Sequence, residues 1–571
     1  MINDIKKTII FLSAFSILMC GFNAKAFSVN ESTLFNISED HHLNGSDKIQ
    51  TKLVKINPRI LFYVESDWWD KQGELRRKDI LNNLELLSIE FENKIYPTLT
   101  SLFGFEWRPG IDGDERITVL FHQMKDNMGG YFRSADERPK IQVTDSNQRE
   151  MLYLPIAKIE SDQLKVLLGH EMMHLITYNQ KTRVAGTDEE VWLNEGRAEY
   201  ASTILGYDDV YVGSNLQRRV NAFISKNDDS ITEWTDKESD YAVVNIFLHY
   251  LVDHYGVNIL VDSLKSRQVG IDSINYALLK NGAKEDFSQV FTNWTIALII
   301  NDCSVNSKYC FTNINLKKIK VSPNLNFLPL SGNSSLSITN TIKNWSGNWQ
   351  KIIGGKGDLK LKFSSLTNPN FKVPYIIYDK DNKYLVKFFE LNNNQEGEIS
   401  ILGFGVDINS LIILPTLQNK TTNFYDQEYS YPYSFTVSIK EKLGDSNQEL
   451  IAKLLARIEF LKAEIAKLLA QKNGQIIINA NCNSINSNLY FGMQNDSQVA
   501  CLQNFLKNQG QDIYPEALIT GNFGPATFQA VIRFQEKYKS EILSPSGLQS
   551  GNGYVGPRTR TKINQLLGKY N

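Results

Sequence analysis

The chain is 571 residues long, which is too long for one hydrophobic core and predicts three or four folded units. Its 61 basic and 63 acidic residues leave a net charge of −2, a balance that calls for no nucleic acid or other polyanion as partner. An apolar share of 42% is that of ordinary globular domains and excludes a disordered or fibrous chain.

Residues 1–7 supply a basic start, residues 8–22 an apolar run and Ala24-Lys25-Ala26 a small-residue cleavage site. Residues 1–26 therefore read as a secretory signal peptide, with the mature chain beginning at Phe27. Cys20 invites a lipoprotein reading, against which Met19 stands where a small residue is wanted. No other apolar run is long enough to cross a bilayer. Export permits oxidation of the remaining cysteines, and the local pairs Cys303 with Cys310 and Cys482 with Cys501 predict two disulfides. Four separate buried thiols are the alternative, because pairing does not follow from sequence. Residues 27–55 are polar and without a strong period, and read as a linker or short pro-segment in which His41 and His42 form a mobile, solvated pair, with metal binding by the paired histidines as the alternative.

From residue 56 the pattern becomes α/β, with strands at 59–65, 117–122 and 151–155 and a long amphipathic helix over 75–103. Between the last two strands, Met128-Gly129-Gly130-Tyr131-Phe132 carries two glycines that let a backbone approach a ligand closely at a sheet edge. A plain hairpin turn is the competing reading.

Residues 164–176 have helical spacing, with Ser161 or Asp162 as cap, and place His170, Glu171 and His174 on one helix. Histidines one turn apart share a face and can hold one metal ion, with Glu171 beside its open position. A catalytic zinc needs a third protein ligand. Glu195 in Trp192-Leu193-Asn194-Glu195-Gly196-Arg197-Ala198-Glu199-Tyr200 is the candidate, on a helix that Thr187-Asp188-Glu189-Glu190 would open as a capping box. Glu199, one turn on, would accept the second N–H of a liganding histidine and fix its tautomer.

The H-E-x-x-H motif followed by N-E-G-x-A-E-Y resembles the gluzincin zinc metallopeptidases, over roughly residues 56–301. That resemblance implies an α+β domain of two lobes, here 56–320, with Zn2+ on His170, His174 and Glu195 and with Glu171 as general base. It implies substrate main chain held along an edge strand, for which Gly129, Gly130 and Tyr131 are the counterparts. Aminopeptidases of the class carry an acid in that region and residues 128–132 contain none, which favours an endopeptidase acting on proteins or peptides. Such enzymes also place a tyrosine or histidine of the second lobe on the oxyanion. Tyr241, His249, Tyr250 and His254 are the candidates, with Tyr241 leading because it sits at the start of a helix.

Residues 321–440 change to short strand-like runs between Asn, Gly, Ser and Pro, the pattern of an antiparallel β-sandwich. Trp345 and Trp349 are either core or a sugar platform. In 441–473, Ile451, Ile458 and Ile465 alternate with Leu454, Leu461 and Leu468, predicting a parallel two-stranded coiled coil and hence a homodimer, with a lone helical linker as the alternative. In 474–571, spaced anchors including Leu502, Gln503, Gly524, Thr527, Val531, Phe534, Gly556, Pro557 and Thr559 resemble the peptidoglycan-binding-like domain, a small three-helix fold. Together these readings predict a secreted, cell-wall-associated zinc endopeptidase. A zinc peptidase acting on peptidoglycan stem peptides and an inert wall-bound adhesin or scaffold are the alternatives.

Overall fold

The computed structural model describes residues 27–126, 128–330, 332–367, 369–424, 427–440, 454–462, 465 and 482–568. The chain divides into two units, Met1–Lys453 and Leu454–Asn571. The signal-peptide reading of 1–26 lies outside the described residues. So does most of the predicted coiled coil, including Ile451 and Leu468; residues 454–462 are helical and Leu454, Ile458, Leu461 and Ile465 are exposed. No helix among the described residues is long and apolar enough to cross a membrane.

The first unit begins with a six-stranded sheet of β1 (Ser32–Asn36), β2 (Lys48–Ile56), β3 (Ile60–Glu65), β4 (Ile117–His122), β5 (Tyr131–Phe132) and β6 (Met151–Pro155). Their order is β1-β2-β3-β4-β6-β5, with β3, β4 and β6 parallel and the others antiparallel. The three parallel strands are near-continuous apolar runs because both faces are covered. Ile60, Phe62, Val64, Val119 and Leu152 face the helices, while Leu61, Tyr63, Leu120, Met151 and Tyr153 face a second cluster.

That second cluster corrects the reading of residues 27–55 as a linker or pro-segment. Phe35 from β1, Ile37 just after it, and Ile49 and Leu53 from β2 fill it, and β2 alternates inward and outward at Ile49, Thr51 and Leu53. Nor is the histidine pair mobile. His42 is buried and its Nδ1 accepts from the N–H groups of Asn44 and Ser46, while the His41 carbonyl accepts from Lys125 N–H.

Six helices from Val191–Ile204 to Phe287–Ile300 build a second lobe. Two of them, Val191–Ile204 and Glu238–Tyr255, approach closely at Gly196, where a Cβ would lie 2.8 Å from side chains of Val244 and Leu248. The predicted capping box is absent, since Glu190 caps the first of these helices without a side-chain bond. Glu189 instead turns into the core to pair with the buried Arg197 at 2.8 Å, a charge that would otherwise stand alone.

Residues 324–440 form eleven described strands, nine of them in one sheet in which Glu396–Phe404 meets Ile408–Ile413 through one parallel pair, Phe404 with Ile408. Where a sandwich of two separate sheets is expected, that bridge joins the strands into one nearly closed sheet around a shared core. Trp345 and Trp349 are buried, with their indole N–H groups donated to the Lys420 and Thr295 carbonyls, so they are packing residues tying this sheet to the helical lobe. Both predicted disulfides are formed, Cys303 with Cys310 and Cys482 with Cys501.

In the second unit, helices Ser497–Asn508, Pro525–Lys537 and Pro557–Leu567 pack around Leu502, Val531, Phe534 and Ile563. It is built twice over. Gln503 donates to Thr527 Oγ1 and the Asn522 carbonyl, both at 2.9 Å, and accepts from the N–H groups of Thr520 and Gly521. Gln535 repeats every bond with Thr559 Oγ1, the Tyr554 carbonyl and the N–H groups of Asn552 and Gly553. A buried amide can satisfy both its donor and its acceptor ends in this way, which accounts for a glutamine in each core half.

Candidate metal centre

His170, Glu171 and His174 lie on the helix Leu164–Thr177, and Glu195 and Glu199 on the helix Val191–Ile204 packed against it. His170 Nε2 stands 3.3 Å and His174 Nε2 3.4 Å from the same oxygen, Oε2 of Glu195, and the two nitrogens are 3.2 Å apart. These three residues are the group of potential metal ligands found among the described residues.

The outer nitrogens of both rings meet acceptors. Nδ1 of His174 is 3.1 Å from Asn194 Oδ1, and Nδ1 of His170 is 3.5 Å from Glu199 Oε1. Hydrogens are thereby drawn to the two Nδ1 atoms, which leaves both Nε2 lone pairs converging with a carboxylate oxygen. Three electron-rich atoms so placed require a proton or a cation between them. Bonds of about 2.0–2.1 Å to a tetrahedral zinc set its ligand atoms about 3.3–3.4 Å apart, the spacing found here. In the absence of a metal, burial would lower the His174 pKa, but the Glu195 carboxylate outweighs it and raises it to about 9. Burial would likewise raise Glu195, yet the His174 and His170 imidazoles hold it well below the usual carboxylate range.

Glu199 is itself gripped from behind. Arg219, on the helix Asn215–Ser225, donates from Nε at 2.7 Å and Nη2 at 2.6 Å to its two oxygens, and Asn215 Nδ2 donates to Oε2 at 3.0 Å. Burial would raise the Glu199 pKa, but the Arg219 guanidinium brings it down to about 2. Arg219 and Asn215 were not legible as site residues, since neither belongs to a spaced motif.

Glu171 is buried, its Oε2 has no hydrogen-bond partner, and burial raises its pKa against the pull of His170 and His174. It lies directly under β5. A Cβ on Gly130, whose φ is +146°, would be 2.8 Å from Glu171 Oε1 and 2.8 Å from the Tyr153 carbonyl. Gly129 adjoins it, with Leu167 as its nearest neighbour. Among the described residues β5 pairs only with β6 and stands last in the sheet, so its outer edge has no strand partner there. The Tyr131 side chain turns inward, its ring stacked 4.4 Å from Tyr153 and its hydroxyl bonded to His122 Nε2 and Ser38 N–H, so the segment offers backbone rather than side chain. The half-buried His41 ring is tilted against Tyr131 at 4.4 Å, and burial lowers its pKa against the pull of Asp236; reading 27–55 as a linker leaves this histidine in solvent.

Tyr241 stands near the centre. Its ring lies 4.7 Å from the Arg219 guanidinium, its hydroxyl donates to Asp236 Oδ1 at 2.8 Å, and burial together with the Glu195 charge raises its pKa. The other three candidates are engaged elsewhere. His249 is buried against Thr203, the Tyr250 hydroxyl donates to the Lys308 carbonyl, and His254 Nε2 bonds the Cys310 carbonyl.

Comparison with solved structures gives partial likenesses. The pre-peptidase C-terminal domain of a Bacillus anthracis collagenase aligns at 8% identity over 20% of this chain and 96% of its own, with a TM-score of 0.15. A Yersinia pseudotuberculosis-derived mitogen aligns at 12% identity over 20% and 92%, with a TM-score of 0.14. A family GH115 4-O-methyl-α-glucuronidase aligns at 8% identity over 57% of this chain and 51% of its own, with a TM-score of 0.13. Scores this low carry no weight for fold or function. No curated protein matches the chain. Residues 495–563 match the model of the putative peptidoglycan binding domain, so the chain carries a peptidoglycan-binding domain at its C-terminal end.

Proposed function

We propose that this protein is a secreted, zinc-dependent endopeptidase held at the cell wall by its C-terminal domain. The observation that carries the reading is the convergence of His170 Nε2, His174 Nε2 and Glu195 Oε2 at tetrahedral spacing beside the unpartnered Glu171. Zinc bound there would polarise a scissile carbonyl and bring the pKa of a coordinated water toward 7.

The chain's own groups would do the rest. Glu171, whose pKa is raised by burial, takes a proton from the attacking water and passes it to the leaving amine. The open edge of β5 aligns substrate main chain by strand addition. Tyr241 donates its hydroxyl to the developing oxyanion, which requires it to exchange its bond to Asp236.

Metal analysis paired with casein hydrolysis tests this directly. Glu171→Gln should keep zinc and lose nearly all turnover, and Glu195→Ala should lose metal affinity as well. Wild-type turnover from Glu171→Gln, or no bound zinc in the wild type, would overturn the reading. The peptidoglycan-binding domain favours a second one, in which the same site cuts wall stem peptides. Zymography on casein and on isolated wall separates the two.

A further inference from the structure

The geometry points to a glycan-binding face on the C-terminal domain, formed where one loop joins its two halves: Tyr490, Phe491 and Tyr554 present an aromatic platform for the uncharged sugar backbone of peptidoglycan. This rests on the wall-anchoring role of that domain.

Leu489 and Val555 form an antiparallel bridge, with backbone bonds of 3.3 Å and 2.9 Å, which sets the adjoining Tyr490 and Tyr554 at facing backbone positions. Tyr490, Phe491 and Tyr554 are 54%, 56% and 39% exposed, whereas the rest of the domain keeps its large aromatic rings in or against the core. Phe491 is seated edge-on at 5.7 Å against Phe528, so its ring is positioned from below rather than loose. Leu489 and Val555 are themselves fully buried, which anchors the bridge beneath the exposed rings.

The internal repeat makes the placement pointed. Gly492 and Met493 bond to Phe523 in the first half much as Leu489 bonds to Val555 in the second, so one loop spans both halves. The residue equivalent to Tyr554 in the first half is Asn522, which places a solvent-facing ring in one half only. Core packing needs no exposed ring at either place, and exposed rings cost solubility unless they have a use.

Chemistry selects the occupant. Residues 482–495 and 544–557 contain no charged side chain, Arg560, which reaches the first of them, donates its Nη1 to the Asn486 carbonyl at 2.6 Å, and Asn488, Gln494 and Asn552 are among the amide side chains of the two segments. The carboxylates and amines of stem peptides would find no charged partner within these two segments, and the Arg560 guanidinium that reaches them is bonded to backbone. The apolar C–H face of a pyranose ring packs on tyrosine and phenylalanine, whose rings give large contact area with few rotors, while amide side chains suit hydroxyl and acetamido groups.

The test is sedimentation of the full-length chain with whole sacculi and with glycan strands stripped of their stem peptides by an amidase. The wild type should sediment with both, and Tyr490→Ala/Phe491→Ala/Tyr554→Ala should weaken both by at least tenfold. Because Phe491 touches Phe528, the double variant Tyr490→Ala/Tyr554→Ala, which removes only outward rings, serves as the second arm, with an unchanged melting profile as its control. Binding of that variant within twofold of wild type overturns the proposal. So does a wild type that sediments with whole sacculi but not with bare glycan, which would assign recognition to the stem peptides. Absence of sedimentation with whole sacculi overturns the wall-anchoring role and this face with it.

Discussion

Gly130 and Glu171 stand so close that a single added carbon on the first would press at 2.8 Å on a carboxylate oxygen of the second. Gly130→Ala should therefore displace either β5 or the Glu171 carboxylate, proposed above as general base, and its φ of +146° adds strain of its own. We expect casein turnover to fall at least tenfold while zinc content stays at one per chain. Full activity would show that Glu171 does not depend on this contact.

Arg219 would act on a zinc ion at this site through two carriers, Glu199 and then His170. Arg219→Ala leaves Glu199 buried without its guanidinium, and zinc affinity should fall about 10–100-fold, as for other outer-shell partners of histidine ligands. Arg219→Lys should recover only part of it, since an ammonium cannot span both oxygens. Chelator competition measures both; an affinity equal to wild type in the alanine variant would disconnect Glu199 from the centre.

Tyr241→Phe should lower turnover about a hundredfold with little change in KM, because a donor aimed at an oxyanion is strongest in the transition state. An unaltered rate would remove Tyr241 from the chemistry, and the engaged positions of His249, Tyr250 and His254 would then point to a donor outside the helical lobe.

Glu137 and Glu150 are buried carboxyls in contact, raised by burial to about 10 and about 7. Both folded values exceed the ordinary one near 4.5, so the folded chain keeps protons that the unfolded chain has released. Stability from this pair is complete below pH 4.5 and is lost as pH rises through 7 and on toward 10. Melting temperature should accordingly decline between pH 5 and pH 9, and Glu137→Gln should flatten that decline. A variant whose melting temperature falls as steeply as the wild type's would place the pH dependence elsewhere.

Deleting residues 474–571 should leave hydrolysis of a small soluble peptide intact and abolish sedimentation with sacculi, because His170, His174 and Glu195, the proposed zinc ligands, all lie within the first unit. Retained sedimentation would move the anchor to another part of the chain.

The centre was legible because its spacing is local: two histidines one turn apart and a glutamate on the next long helix can be read from sequence. Arg219 and Asn215 could not be read, since a charge that supports a ligand needs only to arrive in space. β1 and β2 escaped for a related reason. Ser32–Asn36 buries little beyond Phe35, and what makes it a strand is the neighbour it pairs with. The sandwich became one sheet through a single residue pair, Phe404 with Ile408, which no periodicity encodes. The repeat in the C-terminal domain did leave a signal, in Gly524-Pro525-Ala526-Thr527 and Gly556-Pro557-Arg558-Thr559, that its anchors obscured when read one by one.

The N-terminal strands bear on how the proposed peptidase would be kept in check. A peptidase precursor is often silenced by a segment that is later cut away, and residues 27–55 occupy the place in the chain where such a segment would lie. Here they contribute two of six strands, and Leu53 within them is completely enclosed. Cleavage between Ile56 and Ile60 followed by release of the upstream piece would strip one face of the sheet and take away His41 from beside Tyr131. Trimming at that point would be an act of destruction rather than of maturation.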